Sequence, residues 1–263
     1  MRRSFKMIAM ATIFHGTYGE NDAIFEKFKE CTDETSTIIK HIASIIGHGH
    51  RALDIGSGSG DIAIWLSCWN DSVIAVEPER KMLDRLREKM ASLGIDNVAI
   101  IPKAWENAKI AGSFDTIICS HAMYFMKDWE TSLRKMVAML DDHGKAFIIV
   151  HADDDPFTNF LTRFEQEIDP IKARHDPHVA SVVMAIVSRI PGMTARVDEI
   201  PAIMRFASIG AAIDVCPFFF ECSPGSITRD VKAELESWFD ALDHDGREIV
   251  LRYKNAAVTI QKK

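Results

Sequence analysis

The sequence of 263 residues predicts an α/β fold, a mostly parallel sheet flanked by helices. Three observations point there. Short apolar runs recur through residues 51–150, amphipathic stretches of helical period follow several of them, and a cluster of glycines sits at the first run-to-helix junction. Alternation of strand and helix is the pattern that parallel sheets require, because each parallel return needs a crossover. With 47% hydrophobic and 26% charged residues, the chain has the composition of a protein that buries a sizeable core.

The elements follow in order. Between residues 20 and 46, Ile24, Phe25, Phe28, Ile38, Ile39, Ile42 and Ile45 recur at helical intervals, which predicts two helices, with Thr32 and Asp33 as caps for the second. Arg51 to Ile55 reads as a buried strand, the glycines as a turn, and Asp61 as the start of a helix. Ser72 to Val76 is a second strand ending at Glu77, and Lys81 to Leu93 a helix that stops at Gly94. Val98 to Ile101, Phe114 to Cys119 and Ala146 to Val150 supply three further strands, with a helix from Trp129 to Leu140 crossing between the last two. A helix reaching about Glu167, another over Val179 to Ile190, and strands near Ala195 to Ile200 and Ile249 to Ile260 complete the pattern. The Phe- and Pro-rich segment Ile209 to Gly225 fits neither period.

Composition also narrows the function. A net charge of -7 argues against a nucleic-acid partner, whose phosphates call for clustered Lys and Arg. Five scattered cysteines have no metal-ligand spacing and an odd number, so neither a metal nor a complete disulfide framework is expected and the thiols read as reduced, as in a cytoplasmic protein. The basic and apolar start is cut short by His15-Gly16-Thr17-Tyr18, too early for a secretion signal, and no apolar run is long enough to span a membrane.

The chemistry concentrates at Asp54-Ile55-Gly56-Ser57-Gly58-Ser59-Gly60. Glycines between a strand and a helix let a ligand approach the backbone, and the helix start offers unpaired N–H groups. Glu77, at the end of the next strand, is where an acid accepts the hydroxyls of a ribose. Dinucleotides and S-adenosylmethionine both suit such a site. The dinucleotide fingerprint spaces its glycines Gly-x-Gly-x-x-Gly, whereas here they alternate behind Asp54.

That form, Asp-x-Gly-x-Gly-x-Gly, resembles the first motif of class I S-adenosylmethionine-dependent methyltransferases. The resemblance implies a Rossmann-like sheet of seven strands with a small helical lid, and S-adenosyl-L-methionine as cofactor. It implies that Asp54, Gly56, Ser57 and Gly58 hold the methionine portion, Glu77 the ribose, and Pro78, Met82, Trp105, Glu106 and Ser120 the rest of the cofactor.

Outside the core the chain resembles histamine N-methyltransferase. His15-Gly16-Thr17-Tyr18, Phe25-x-x-Phe28 and Thr32-Asp33-Glu34 are similar to its amino-terminal lid and substrate-binding acid, Met123 to Asp128 to an aromatic stretch after the fourth strand, and Tyr253 to Ile260 to its last strand. Carried over, Glu34, His121 and Asn255 bind and orient an amine, and Tyr18, Phe25, Phe28, Tyr124 and Phe157 wall it in. This chain has His121 where that family has glutamine. Without the resemblance, Glu34 reads first as a helix-start acid, Phe25 and Phe28 equally as core, and His121 also as a satisfied histidine near the sheet edge.

The expected organisation is a single domain over 1–263: a lid over 1–46, a cofactor core over 47–151, a substrate-side insertion over 152–247 and a final strand over 248–263. The expected partner is a small amine, and the expected state a monomer or weak homodimer. O- or C-methylation of a small apolar metabolite and non-catalytic cofactor binding stay open.

Overall fold

The computed structural model describes residues 20–168, 178–220 and 222–263. Tyr18 lies outside them, as does the side chain of Phe25. Helix α1 (Glu20–Cys31) and helix α2 (Glu34–Ala43) precede the first strand. Then β1 (Gly49–Ile55), α3 (Asp61–Ser67), β2 (Asn70–Val76), α4 (Arg80–Leu93), β3 (Val98–Ile101), β4 (Phe114–Ser120), α5 (Trp129–Ala138) and β5 (Leu140–His151) alternate. The remainder comprises α6 (Pro156–Ile168), α7 (Val179–Ser188), β6 (Met193–Phe206), α8 (Ile209–Phe219), α9 (Arg229–Asp240), β7 (Asp243–Asp245) and β8 (Glu248–Lys262).

The sheet runs β3-β2-β1-β4-β5-β8-β6, with β7 paired to β8 as a short extra strand. Strands β1 to β5 pair in parallel, whereas β8 runs antiparallel to both β5 and β6. The expected mostly parallel sheet between helices is therefore what the chain builds. Among the described residues no helix is long and apolar enough to cross a membrane.

Alternation along β5 and β8 explains the two layers. Phe147, Ile149 and Ala257 face Ile38 and Ile42 of α2 and Ala63 to Leu66 of α3. Ala146, Ile148, Val150, Val258 and Ile260 face Leu133 and Met136 of α5 and Val183 and Val187 of α7. Helices reached from β1 and β4 thus cover opposite faces. The chain reverses its winding between those two strands, and in such sheets ligands bind at the carboxyl ends beside that point. A third apolar cluster packs α6, α8 and α9 on Met204, Phe206, Leu251 and Tyr253.

Three segments differ from expectation, each for a physical reason. Strand β6 runs on through Pro201 to Phe206, because it pairs with β8 on one side and a proline costs no ladder bond on an open edge. The unassigned apolar segment is mostly α8, capped by Ser208 accepting from the Ala211 amide, with Pro217 inside it. Its apolar residues do not mark one face, so periodicity hides it. Helix α9 lies where the sequence reading assigns no element, although Thr228 caps it and Leu235 and Phe239 recur four residues apart on its buried face.

Candidate active site

The glycine turn closes β1 with all three glycines at positive φ. Gly56 and Ser57 donate to the Val76 carbonyl, and the Gly58 amide donates to Glu77 Oε2 at 2.9 Å. The Glu79 amide donates to the other oxygen of Glu77 at 2.8 Å. Glu77 is therefore fixed against the turn. Burial raises its pKa, with those two amides pulling the other way.

Asp54, on the last turn-facing part of β1, is 1% exposed, and its Oδ2 has no hydrogen-bond partner. Burial, reinforced by the negative charge of Glu77, pushes its carboxyl up to about 8. The hydroxyl of Ser57 is likewise buried without a partner. Both residues line a cavity of about 1000 Å³. Orphaned buried acceptors facing a void are what a ligand carrying an ammonium or hydroxyl would satisfy.

The same cavity is lined by Gly56, Gly58, Glu77, Pro78, Met82, Trp105, Glu106 and Ser120. The structure thus brings together every residue of the expected cofactor set. Trp105 is buried, its Nε1 donating to the Ser132 carbonyl and Lys135 Nζ lying 3.9 Å from its ring centroid. Glu106 accepts from the Lys127 amide at 3.2 Å. Asp61, at the start of α3 and also lining the cavity, binds both Lys29 of α1 and Lys89 of α4. Burial works against its charge, but the two lysines outweigh it and hold the carboxyl below its usual range.

The other end of the cavity holds Glu34, Phe28, His121, Tyr124, His151, Phe157, Phe218 and Phe219. Glu34 opens α2, and the stretch before it is pinned to β6: Asp33 exchanges hydrogen bonds with Ile203, its Oδ1 accepting from the Ile203 amide at 2.8 Å. Asp33 consequently makes no side-chain cap for α2; Thr32 Oγ1 accepts from the Glu34 amide instead. Glu34 Oε1 accepts from Asn255 Nδ2 at 3.1 Å and from the Tyr253 hydroxyl at 3.2 Å, and lies 3.4 Å from His121 Nε2. The Tyr253 hydroxyl is also 2.9 Å from Thr32 Oγ1. Glu34 is 7% exposed. Burial opposes its charge, yet His121, His151 and the Asn255 amide prevail and hold its carboxyl down to about 2.

His121 follows β4 with φ 51°, an uncommon conformation for a residue with a Cβ. Its amide donates to the Ile149 carbonyl at 2.9 Å. The bend turns the imidazole toward Glu34, while Nε2 is buried without completing a hydrogen bond. His151, closing β5, stands 4.7 Å from the His121 ring and edge-on to Phe157, and its amide donates to the Tyr124 hydroxyl at 2.7 Å. Phe28 stacks on Phe218 at 4.6 Å. Glu34, His121 and Asn255 therefore do meet, and Phe28, Tyr124 and Phe157 stand beside them. His151 and Tyr253 were not picked out as site residues. The signal available for His151 was its place at a strand end, the same signal that marked His121.

With this geometry, similarity to other proteins becomes informative. Residues 52–144 match the methyltransferase domain family model. That stretch of the chain is similar to a methyltransferase domain. The uncharacterized methyltransferase YcgJ of Bacillus subtilis is 29% identical over 131 residues, which are 48% of this chain and 51% of that protein. The ubiquinone/menaquinone biosynthesis C-methyltransferase UbiE of Pasteurella multocida is 25% identical over 183 residues, 64% of this chain and 65% of its own. The chain thus spans about half the length of the first of these relatives. The crystal structure of YcgJ superimposes with a TM-score of 0.63 at 19% identity, covering 88% of this chain and 99% of that one. The fold is that of class I methyltransferases, whose methyl donor is S-adenosyl-L-methionine. These similarities support that class; they do not single out histamine N-methyltransferase.

Proposed function

We propose that the protein transfers a methyl group from S-adenosyl-L-methionine to the nitrogen of a small basic or heteroaromatic amine. The observation that carries this is continuity: one cavity of about 1000 Å³ joins the glycine turn to Glu34 and His121, with Asn255 buried behind Glu34 rather than lining the cavity. That volume is at the upper end for small-molecule sites, enough for donor and acceptor together.

Asp54 and Ser57 would hold the amino-acid end of the donor, Glu77 its ribose, and Trp105, Glu106, Pro78 and Met82 its base. Bound there, the donor supplies an electrophilic methyl on a positively charged sulfur, so a C–N bond forms as the C–S bond breaks and the sulfur leaves neutral. The chain's own residues have the remaining work of delivering a neutral nitrogen in line and keeping water out. Glu34 supplies negative charge at the acceptor end, and Asn255 and Tyr253 keep its carboxylate in place. With His121 Nε2 turned to Glu34, Nδ1 is left as the basic atom that receives the proton from the methylated nitrogen. Phe28, Phe157, Phe218 and Phe219 give faces for a ring or a cation.

A labelled-methyl transfer assay over small amines, imidazoles, phenols and carbon acids, with products identified by mass, tests this. N-methylated product is expected, with Glu34→Gln and His121→Ala each lowering kcat/KM at least about tenfold while donor binding persists. Variants at wild-type rates would refute the assignment. The phenylalanines around the acceptor end favour one second reading, O- or C-methylation of an apolar acceptor, and the relative named as a C-methyltransferase fits it. Product on oxygen or carbon alone would establish that instead.

A further inference from the structure

Glu34, His121 and His151 each offer a donor atom within 4.8 Å of the other two. No spacing in the sequence announces this, because the three come from the start of α2 and the ends of β4 and β5. We propose that they form a two-histidine, one-carboxylate site for a transition-metal dication of the zinc class, and that metal and amine exclude each other there. The proposal rests on the amine reading only for its second half.

Three observations support it. Zinc bonds of about 2.0–2.1 Å at tetrahedral angles place ligand atoms about 3.3–3.4 Å apart. Glu34 Oε1 and His121 Nε2 already stand at 3.4 Å, and donor atoms of all three residues lie within 4.8 Å of one another. His121 Nε2 is a buried nitrogen that faces Glu34 Oε1 without completing a hydrogen bond, so a metal can take the place of the proton between them. The carboxylate is hydrogen-bonded from behind, as metal-ligating carboxylates are, by Asn255 and Tyr253, while the Ile149 carbonyl fixes the His121 backbone and Phe157 and Tyr253 pack on the His151 ring. Three protein ligands beside a cavity leave a coordination position open toward it.

The exclusion follows from lone pairs. An amine nitrogen bound to the metal has no pair left to attack a methyl, and a metal on His121 and Glu34 removes both the base and the negative charge the amine uses. Zinc therefore inhibits N-methylation competitively with the amine.

The chelator-stripped full chain is titrated with Co²⁺, followed by its visible d–d absorption and by calorimetry. One Co²⁺ per chain is expected, with affinity lowered at least about tenfold in Glu34→Gln and in His151→Ala and unchanged in the exposed His143→Ala. Circular dichroism checks that each variant is folded. Absence of stoichiometric binding by the wild-type chain, or equal binding by the site variants, overturns the site. In the methyl transfer assay, Zn²⁺ raising KM for the amine without lowering kcat supports the exclusion. A rate that needs added metal overturns it. Since Co²⁺ binding is read without acceptor or donor, failure of the amine reading leaves the metal test intact.

Discussion

Asp54 concentrates the electrostatics of the glycine-turn end of the cavity in one side chain. Its unfolded carboxyl titrates near 3.9 and its folded one near 8, so between these values the native chain keeps a proton that the unfolded chain releases. Stability contributed by that proton is complete below about pH 4 and is lost as pH rises through about 8. Glu34 has the opposite sign, with a carboxyl held near 2, and its contribution is flat above about pH 5. The ligand-free protein should therefore lose of order 2–5 kcal/mol between pH 5 and 8 through Asp54, and Asp54→Asn should remove that slope in urea titrations at the two pH values. An ammonium bound at Asp54 needs the carboxylate. Donor affinity should rise with pH toward 8, by up to about tenfold per unit, and a flat calorimetric profile would contradict the proposed contact.

At the scale of elements, the glycine turn shows two different reasons for the same residue. Gly60, at φ 84°, caps α3, and a Cβ there would come within 2.2 Å of Leu86 Cδ1 on α4. Gly58, at φ 52°, has nothing within 4 Å of an added Cβ. Gly60→Ala should therefore destabilise the chain by about 2–4 kcal/mol, combining left-handed strain with overpacking, whereas Gly58→Ala should cost about 1–2 kcal/mol of strain alone. Urea midpoints for the two variants distinguish them; equal midpoints would mean that α4 yields freely. The turn itself was legible because strand, glycines and helix are contiguous. Helix α8 was not, because its burial between α1, the edge of β6 and α9 depends on distant partners.

Over the whole molecule, the proposed donor and acceptor ends draw on different apolar clusters: Ile55, Val76 and Trp105 belong to the one that includes α5 and α7, Phe157 and Phe219 to the one from α6, α8 and α9. They share one cavity, so a ligand at the glycine turn stabilises the native fold against unfolding. S-adenosylmethionine at 100 times its Kd should add about 2.7 kcal/mol, raising Tm by roughly 5–10 °C for a chain of this size. A nicotinamide dinucleotide should give no shift. Protection by the dinucleotide instead would overturn the donor assignment.

The sequence alone determined the mostly parallel, helix-flanked core and its glycine turn. The determinants lie close together: a buried strand, Asp54, three alternating glycines and Glu77 fall within residues 51–77, where local periodicity and turn chemistry act directly. Resemblance, not local pattern, picked out Glu34, His121 and Asn255. Only the tertiary structure decided what these residues touch. Glu34 and Asn255 are separated by 221 positions, and they meet because β8 inserts antiparallel beside β5 while β6 pins the start of α2. The same convergence adds His151, Tyr253 and Thr32. Contacts across such separations leave no periodic trace in the chain, since each residue satisfies only the pattern of its own strand or helix.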